Sequence, residues 1–271
     1  MYGSMRFPGF LYKACTLSYD DGVAHDKRLV EIMRKYGLKG TFNVNSRSLD
    51  RGEKYLSAEE MREVYGDDME IALHGFNHLS LARVTPDLAI RDVVADRDNL
   101  ERTFGRIIRG MAYANGSYSD DVVAMLRLAG VVYSRTTKAT YGFELPEEWL
   151  TLHPTCHHRV PELFELLDKF LGEPENPNRI KPQLFYLWGH SYEFPRDDNW
   201  DVIERFGQKM SEHSDVWHAT NMQIYSYVKA YESLVFSSDF TMVYNPSAID
   251  VYLFVRGKNV VAKAGETVFF A

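Results

Sequence analysis

A chain of 271 residues that is 45% hydrophobic and 14% aromatic can bury a substantial core, and its length suits a single α/β barrel, which takes roughly 200–250 residues. The formal charge of −7 is spread along the chain without a basic stripe, which argues against nucleic acid or an anionic membrane as a main partner. Cys15 and Cys156 supply no disulfide framework, Met1 to Lys13 lacks the apolar centre of an export signal, and no later segment is long enough to cross a bilayer, so we expect a soluble cytoplasmic protein with reduced thiols, although a chain stripped of its signal would read the same.

In chain order, the apolar run Ala14 to Tyr19 predicts a first strand, followed by a helix with Leu29, Ile32, Met33 and Tyr36 on its core face and Gly37 as its stop. Thr41 to Val44 predicts a second strand. Ser57-Ala58-Glu59-Glu60 has the spacing of a capping box, and Ile71 to Leu73 is the next strand. Thr85 with Pro86 marks the start of a longer helix whose buried stripe is expected to be Ile90, Val93, Val94, Leu100 and Phe104. Strand Met111 to Tyr113, a helix carrying Val122, Val123, Met125, Leu126 and Ala129, and strand Val131 to Tyr133 continue the alternation. After loops from Thr136 to Arg159 come a helix with Leu163, Phe164, Leu167 and Phe170, and a Pro/Asn-rich surface connection from Gly172 to Pro182. Strand Leu184 to Trp188, a helix with Val202, Ile203, Phe206 and Met210, strand Val216 to Ala219, and a helix with Ile224, Val228, Tyr231 and Val235 complete the series.

Strands alternating with helices in this way imply a parallel sheet walled by helices, with functional side chains at the carboxyl ends of the strands. We therefore expect an α/β barrel over residues 1–236. Beyond Phe240 short apolar runs at Thr241 to Tyr244, Val251 to Val255, Val260 to Ala262 and Thr267 to Phe270 predict a small antiparallel β appendage over residues 237–271, packed on the barrel or on a neighbouring subunit.

The candidate chemistry falls at those strand ends. Asp20 and Asp21 close the first strand at Gly22, and His74 and His78 follow the third. Asp-Asp-Gly alone is ordinary turn chemistry, but two imidazoles four residues apart converge readily on one divalent ion with a carboxylate as third ligand, so the four residues together form a candidate metal site. Asn115-Gly116 follows the fourth strand and His190 the strand ending at Trp188. A buried histidine bonded to a carbonyl is the alternative for His190.

Ser18-Tyr19-Asp20-Asp21-Gly22, His74-Gly75-Phe76-Asn77-His78 and Trp188-Gly189-His190, in this order and at these separations, resemble the polysaccharide deacetylase (NodB-homology) family of carbohydrate esterases over roughly residues 14 to 220. The resemblance implies a distorted (β/α) barrel that hydrolyses an N- or O-linked acetyl group on a carbohydrate with a divalent metal, zinc foremost. It assigns Asp20 as base, Asp21, His74 and His78 as metal ligands, and His190 as acid; sequence alone does not order the two aspartates. The family's third motif usually supplies an arginine that orients the base, and here that segment is Ala112-Tyr113-Ala114-Asn115-Gly116. Arg135 is a candidate replacement, a surface ion pair being the alternative, and the backbone N–H near Asn115 is a candidate oxyanion donor.

His153-Pro154-Thr155-Cys156-His157-His158 is read as a loop lining the substrate cleft, which makes His157 a candidate substrate contact; a metal site of its own and a Cys-His nucleophile are the alternatives. Among Trp188, Tyr192, Trp200 and Trp217, Tyr192 is the foremost candidate to stack on a sugar, the others being expected mostly in the core. Two rival functions stay open: hydrolysis of a non-sugar amide such as a ureide or cyclic imide on the same scaffold, and a non-catalytic carbohydrate-binding homologue. The sequence leaves an oligomer possible.

Overall fold

The computed structural model describes residues 4–173 and 180–270, so most of the Gly172 to Pro182 connection lies outside the described residues. A short β1 (Met5–Arg6) precedes β2 (Lys13–Asp20), whose eight residues are all buried, as in a strand covered on both faces. Next, α1 (Asp26–Lys35) buries Leu29, Val30, Ile32 and Met33 and leads into β3 (Gly40–Val44). The expected capping box opens α2 (Ala58–Tyr65): Glu60 N–H donates to Ser57 Oγ at 3.1 Å and Ser57 N–H to Glu60 Oε2 at 2.8 Å. Then β4 (Glu70–Leu73) leads to α3 (Pro86–Phe104), which starts after Thr85 as expected, although the Thr85 side chain does not cap it.

The buried face of α3 differs from the expected stripe. Val94 is 47% exposed, Ile90 and Phe104 are only half-buried, and Ala89, Asp92, Val93, Asp96 and Leu100 face inward. Two carboxylates displace the apolar register because both hold backbone of the loop after β4, and apolar periodicity cannot register a buried acid that has partners.

After α3 come β5 (Gly110–Ala112), α4 (Asp120–Leu128) and β6 (Tyr133–Arg135), which begins two residues later than expected. Arg135 therefore ends a buried strand instead of following it. β7 (Cys156–His157) places Cys156 in a strand where a loop was expected. α5 (Leu163–Leu171), β8 (Gln183–Gly189), the single turn α6 (Glu193–Arg196), α7 (Trp200–Ser211), β9 (Val216–His218) and α8 (Asn221–Glu232) follow. α8 stops before Val235, which instead sits 58% exposed in β10 (Val235–Phe236). The chain ends with β11 (Met242–Tyr244), β12 (Val251–Val255), β13 (Lys258–Ala262) and β14 (Thr267–Phe269).

The main sheet is parallel, in the order β6-β5-β4-β3-β2-β8-β7. β2 is its hub. β8 pairs along Lys13 to Tyr19, β3 pairs with Leu17 to Asp20, and β9 with Lys13 to Cys15. The stretch from Leu152 to His157 curls the sheet shut, since Leu152 bridges Arg135 at one end and Cys156 pairs with Leu187 at the other. Two antiparallel sheets, β1-β12-β13 and β10-β11-β14, share a second apolar core with α8 and with Ala14, Leu184 and Tyr186 of the barrel strands.

Phe42, fully buried in β3, stacks on Tyr65 at 4.4 Å between centroids and faces Tyr19. Phe42→Ala is expected to cost about 3–5 kcal/mol in urea unfolding, as an aromatic core truncation with little room to collapse; a loss below about 1 kcal/mol would show that this layer does not carry the barrel.

Candidate functional site

The strand ends bring together six of the sequence-predicted residues: Asp20, Asp21, His74, His78, Arg135 and His190. Asp20 ends β2 fully in the extended conformation, and the chain then breaks at Asp21 (φ 81°) and Gly22 (φ 62°). Asp21 holds a backbone region that L residues avoid, and this turns its carboxylate away from Asp20 and toward the histidines. The loop after β4 turns similarly at Gly75 (φ 79°) and His78 (φ 57°). A side chain at position 75 would lie 2.8 Å from Asp92 Oδ2, so glycine is required there for space as well as for conformation.

That loop is pinned from three sides. Asp96 accepts from Ser46 N–H at 2.8 Å and His74 N–H at 3.1 Å, and Asp92 accepts from the backbone and side-chain amides of Asn77 at 2.9 and 2.8 Å. Asn45 Nδ2 donates to the carbonyls of His74 and Gly75, both at 2.7 Å. His74 Nδ1–H donates to the Ala112 carbonyl at 2.9 Å; a carbonyl only accepts, so Nε2 is left as the lone-pair nitrogen. Burial also pulls the His74 pKa down, against the pull of Asp20 and Asp21, which keeps the ring neutral.

Asp21 Oδ1 lies 3.7 Å from His74 Nε2 and 3.7 Å from His78 Nε2. Two neutral imidazole nitrogens and a carboxylate oxygen at such spacing, with His74 already oriented through its other nitrogen, fit a zinc-type cation with open coordination positions.

Asp20 is 3% exposed and its oxygens are all directed. Asn43 Nδ2 donates to Oδ1 at 2.9 Å, and Arg135 Nη2 donates to Oδ2 at 2.5 Å. Oδ2 also lies 3.7 Å from His74 Nε2 and 3.9 Å from His190 Nε2. Burial would raise this carboxyl, but Arg135, His74 and His190 outweigh it and hold it at about 2, so it is ionised throughout the neutral range. Arg135 is itself fully buried, with the Trp188 ring 4.2 Å beneath its guanidinium carbon, and is thus no surface ion pair.

Across the mouth, His190 Nδ1 faces Glu193 Oε2 at 3.4 Å. Burial lowers the His190 pKa, and Glu193, Asp20 and Asp21 more than offset that, leaving it above the ordinary histidine value. The same Glu193 oxygen lies 3.1 Å from His157 Nε2 and 3.3 Å from His158 Nε2. The 153–158 cluster thus divides. His157 and His158 turn inward to Glu193, whereas His153 Nδ1 bonds the Thr136 hydroxyl at 2.6 Å. Cys156 is fully enclosed, and burial pushes its thiol up to about 12, which removes the Cys-His nucleophile alternative.

Of the aromatic candidates, Trp188 serves Arg135, Trp200 stacks on Phe194, and Trp217 packs on Phe7 and Tyr227. Half-buried Tyr192 stands beside His190, with ring centres 5.1 Å apart. Asn115, at φ 56°, lines a polar cavity of about 710 Å³ with Ser80, Arg83 and Tyr118. Sequence reasoning missed Glu193, Asn43, Asp92 and Asp96. Glu193 alone left a usable signal, since a carboxylate three residues after a histidine at a helix start shares its face.

Residues 11–134 match the family described as polysaccharide deacetylase. YxkH from Bacillus subtilis (strain 168), described as a "putative polysaccharide deacetylase", is 22% identical over 127 residues, which span 46% of this chain and 45% of YxkH. A Mycobacterium smegmatis structure of the same description is 18% identical, covers 85% of this chain and 94% of its own, and superposes with a TM-score of 0.63. The family 4 carbohydrate esterase from Streptomyces lividans, solved with acetate, is 11% identical with a TM-score of 0.53, covering 77% of this chain and 93% of that one. At these identities the likeness establishes the fold, which is that of the family 4 carbohydrate esterases, and bears out the resemblance drawn from the motifs.

Removing the guanidinium has a direct consequence for Asp20. In metal-free protein, Arg135→Gln leaves burial opposed by the histidines and the Asn43 amide alone, so the Asp20 carboxyl is expected to titrate well above 2, while Arg135→Lys restores part of the depression. Side-chain carbon NMR of labelled aspartate reads this, and an unchanged midpoint in Arg135→Gln would overturn the assigned coupling.

Proposed function

We propose, from the polysaccharide deacetylase region that residues 11–134 make up, that this protein is a metal-dependent hydrolase removing an acetyl group from a carbohydrate. One observation carries this reading: Asp20 Oδ2 lies within 4 Å of both the His74 and the His190 ring nitrogens, so one carboxylate connects the cation ligands to a second imidazole across the mouth. Asp21, His74 and His78 would hold the ion, which when bound acidifies a water and polarises the acyl carbonyl.

Asp20 accepts the proton of the attacking water. Arg135 and Asn43 keep it ionised and aimed, and thereby act as positioning residues. His190 presents Nε2 to the mouth and donates its proton to the departing amine or alkoxide, with Glu193 behind Nδ1 favouring the charged ring. The polar cavity between the loops after β4 and β5, lined by Ser80, Arg83, Asn115, Ser117 and Tyr118, offers hydroxyl, amide and guanidinium partners to a polyhydroxylated substrate, and Tyr192 offers a ring face on the other side. The backbone N–H of Asn115 is the candidate donor to a developing oxyanion, the Gly116 N–H being taken by the Tyr113 carbonyl at 2.9 Å.

Acetate release from a panel of N- and O-acetylated oligosaccharides, run beside small cyclic amides, tests the reading. Chelation is expected to abolish turnover, zinc to restore it, and Asp20→Asn to lower kcat by roughly a hundred- to ten-thousand-fold. Sugar binding with no turnover in zinc-loaded protein would establish the binding homologue instead, and turnover of cyclic amides alone the ureide-type hydrolase.

The pH profile supplies a second check. Activity requires protonated His190 and so falls as pH rises through its elevated pKa; Glu193→Gln removes an upward pull, and the alkaline limb of kcat/KM is expected to move to lower pH. An alkaline limb unchanged in Glu193→Gln would remove His190 from the role of acid.

A further inference from the structure

Glu193 has more partners than a hydrogen-bonded carboxylate oxygen can serve. Its Oε2 is surrounded by His157 Nε2 at 3.1 Å, His158 Nε2 at 3.3 Å and His190 Nδ1 at 3.4 Å, while His190 Nδ1 and both ring nitrogens of the 2%-exposed His158 are buried without a hydrogen-bond partner. Buried polar atoms are normally paired, and of these nitrogens His158 Nε2 and His190 Nδ1 face Glu193 while His158 Nδ1 lies against Gly189; two unpartnered imidazole nitrogens beside one carboxylate mark a place built for something else. Ligand atoms about 2.0–2.2 Å from a tetrahedral zinc ion stand roughly 3.3–3.6 Å from one another, close to the spacings here. The facing atoms of His157, His190 and Glu193 all lie within 4.8 Å of one another.

The surrounding charge permits a cation. Arg159 and Arg196 approach the other carboxylate oxygen at 3.6 and 3.5 Å, but Asp197 pairs with both, at 2.9 and 2.7 Å. Two arginines against Glu193 and Asp197 leave no net positive charge, and Asp20 lies 3.9 Å beyond His190 Nε2. Imidazole nitrogens with one carboxylate select a zinc-type ion over the oxygen-seeking calcium or magnesium.

We propose that His157, His190 and Glu193 form a second divalent-cation site, separated from Asp21, His74 and His78 by Asp20, and that a cation bound there withdraws His190 from proton transfer. When the ion binds, a charged His190 loses its Nδ1 proton to solvent and a metal–nitrogen bond replaces the N–H bond. The ring then keeps only its Nε2 proton as a neutral imidazole and no longer delivers one as an imidazolium. Zinc therefore activates through one site and inhibits through the other. Binding stands on the geometry alone, whereas the inhibition rests on the proposed role of His190.

The test dialyses metal-stripped full-length protein against buffered zinc and counts bound zinc per chain by elemental analysis, with circular dichroism confirming the fold of each variant. Two equivalents are expected in the parent chain, and one in each of His157→Asn, Glu193→Gln and His78→Asn. Two equivalents that persist in both His157→Asn and Glu193→Gln overturn the second site. If a single equivalent disappears in His78→Asn but survives in His157→Asn, the first site stands and the second falls; the reverse pattern overturns the first and supports the second. Turnover is expected to rise with the first equivalent and fall with the second, the fall moving to roughly tenfold higher zinc or more in His157→Asn. Undiminished turnover as the second equivalent binds overturns the effect on His190.

Discussion

A buried ion pair between Arg135 and Asp20 sets the geometry of everything at the mouth of this barrel. Both side chains are almost wholly out of water, and neither charge is tolerable there without the other, because desolvating a lone guanidinium or carboxylate costs several kcal/mol. The pair therefore ties β6, at one end of the sheet, to β2 at its centre. Asn43 takes the second carboxylate oxygen and Trp188 lies under the guanidinium, so Asp20 has little rotational freedom. What that rigidity achieves is placement: one oxygen sits between the rings of His74 and His190, which come from opposite sides of β2.

The second constraint is backbone strain held in place by acids. Asp21 and His78 both occupy the left-handed region, each at a cost of about 1–3 kcal/mol for a residue with a side chain, and both are candidate cation ligands. The loop carrying His78 does not relax because Asp92, Asp96 and Asn45 satisfy its backbone groups from below. Two inward carboxylates on α3 reduce the apolar burial of that helix, a local departure from a good core that makes sense only as support for the loop.

A third cluster lies on the opposite side of Asp20. Gly189 leaves the space that His158 occupies, since a side chain there would sit 2.1 Å from His158 Nδ1. His158 stacks between Tyr19 and Phe194, and His157 sets its edge against Trp188. Glu193 stands at the start of a single helical turn after His190 and gathers these rings, so β7, β8 and α6 act together on one carboxylate. Curling the sheet through Leu152 to His157 is what puts this cluster on the same mouth as the strand ends of β2 and β4.

Local order was legible from residues near one another in the chain. The alternation of strands and helices, the Ser57 capping box and the break after Asp20 follow from short-range periodicity and cap chemistry, which depend on neighbours within a few residues, whereas Asp21 as the carboxylate grouped with His74 and His78 came from the family resemblance. The buried face of α3 and the start of β6 did not follow, neither did Glu193 as the hub of three histidines, and Arg135 stayed open between the base and a surface ion pair, because each depends on what the curled sheet brings across 100 or so residues of chain or on a buried charge that no hydrophobic pattern records. Sequence alone determined which strand ends carry reactive groups, since side-chain type and backbone period are local properties. Only the tertiary structure decided which of those groups face one another, because the distance between two strand ends is set by sheet order and closure, and the charge state of a buried group is set by whatever that closure leaves beside it.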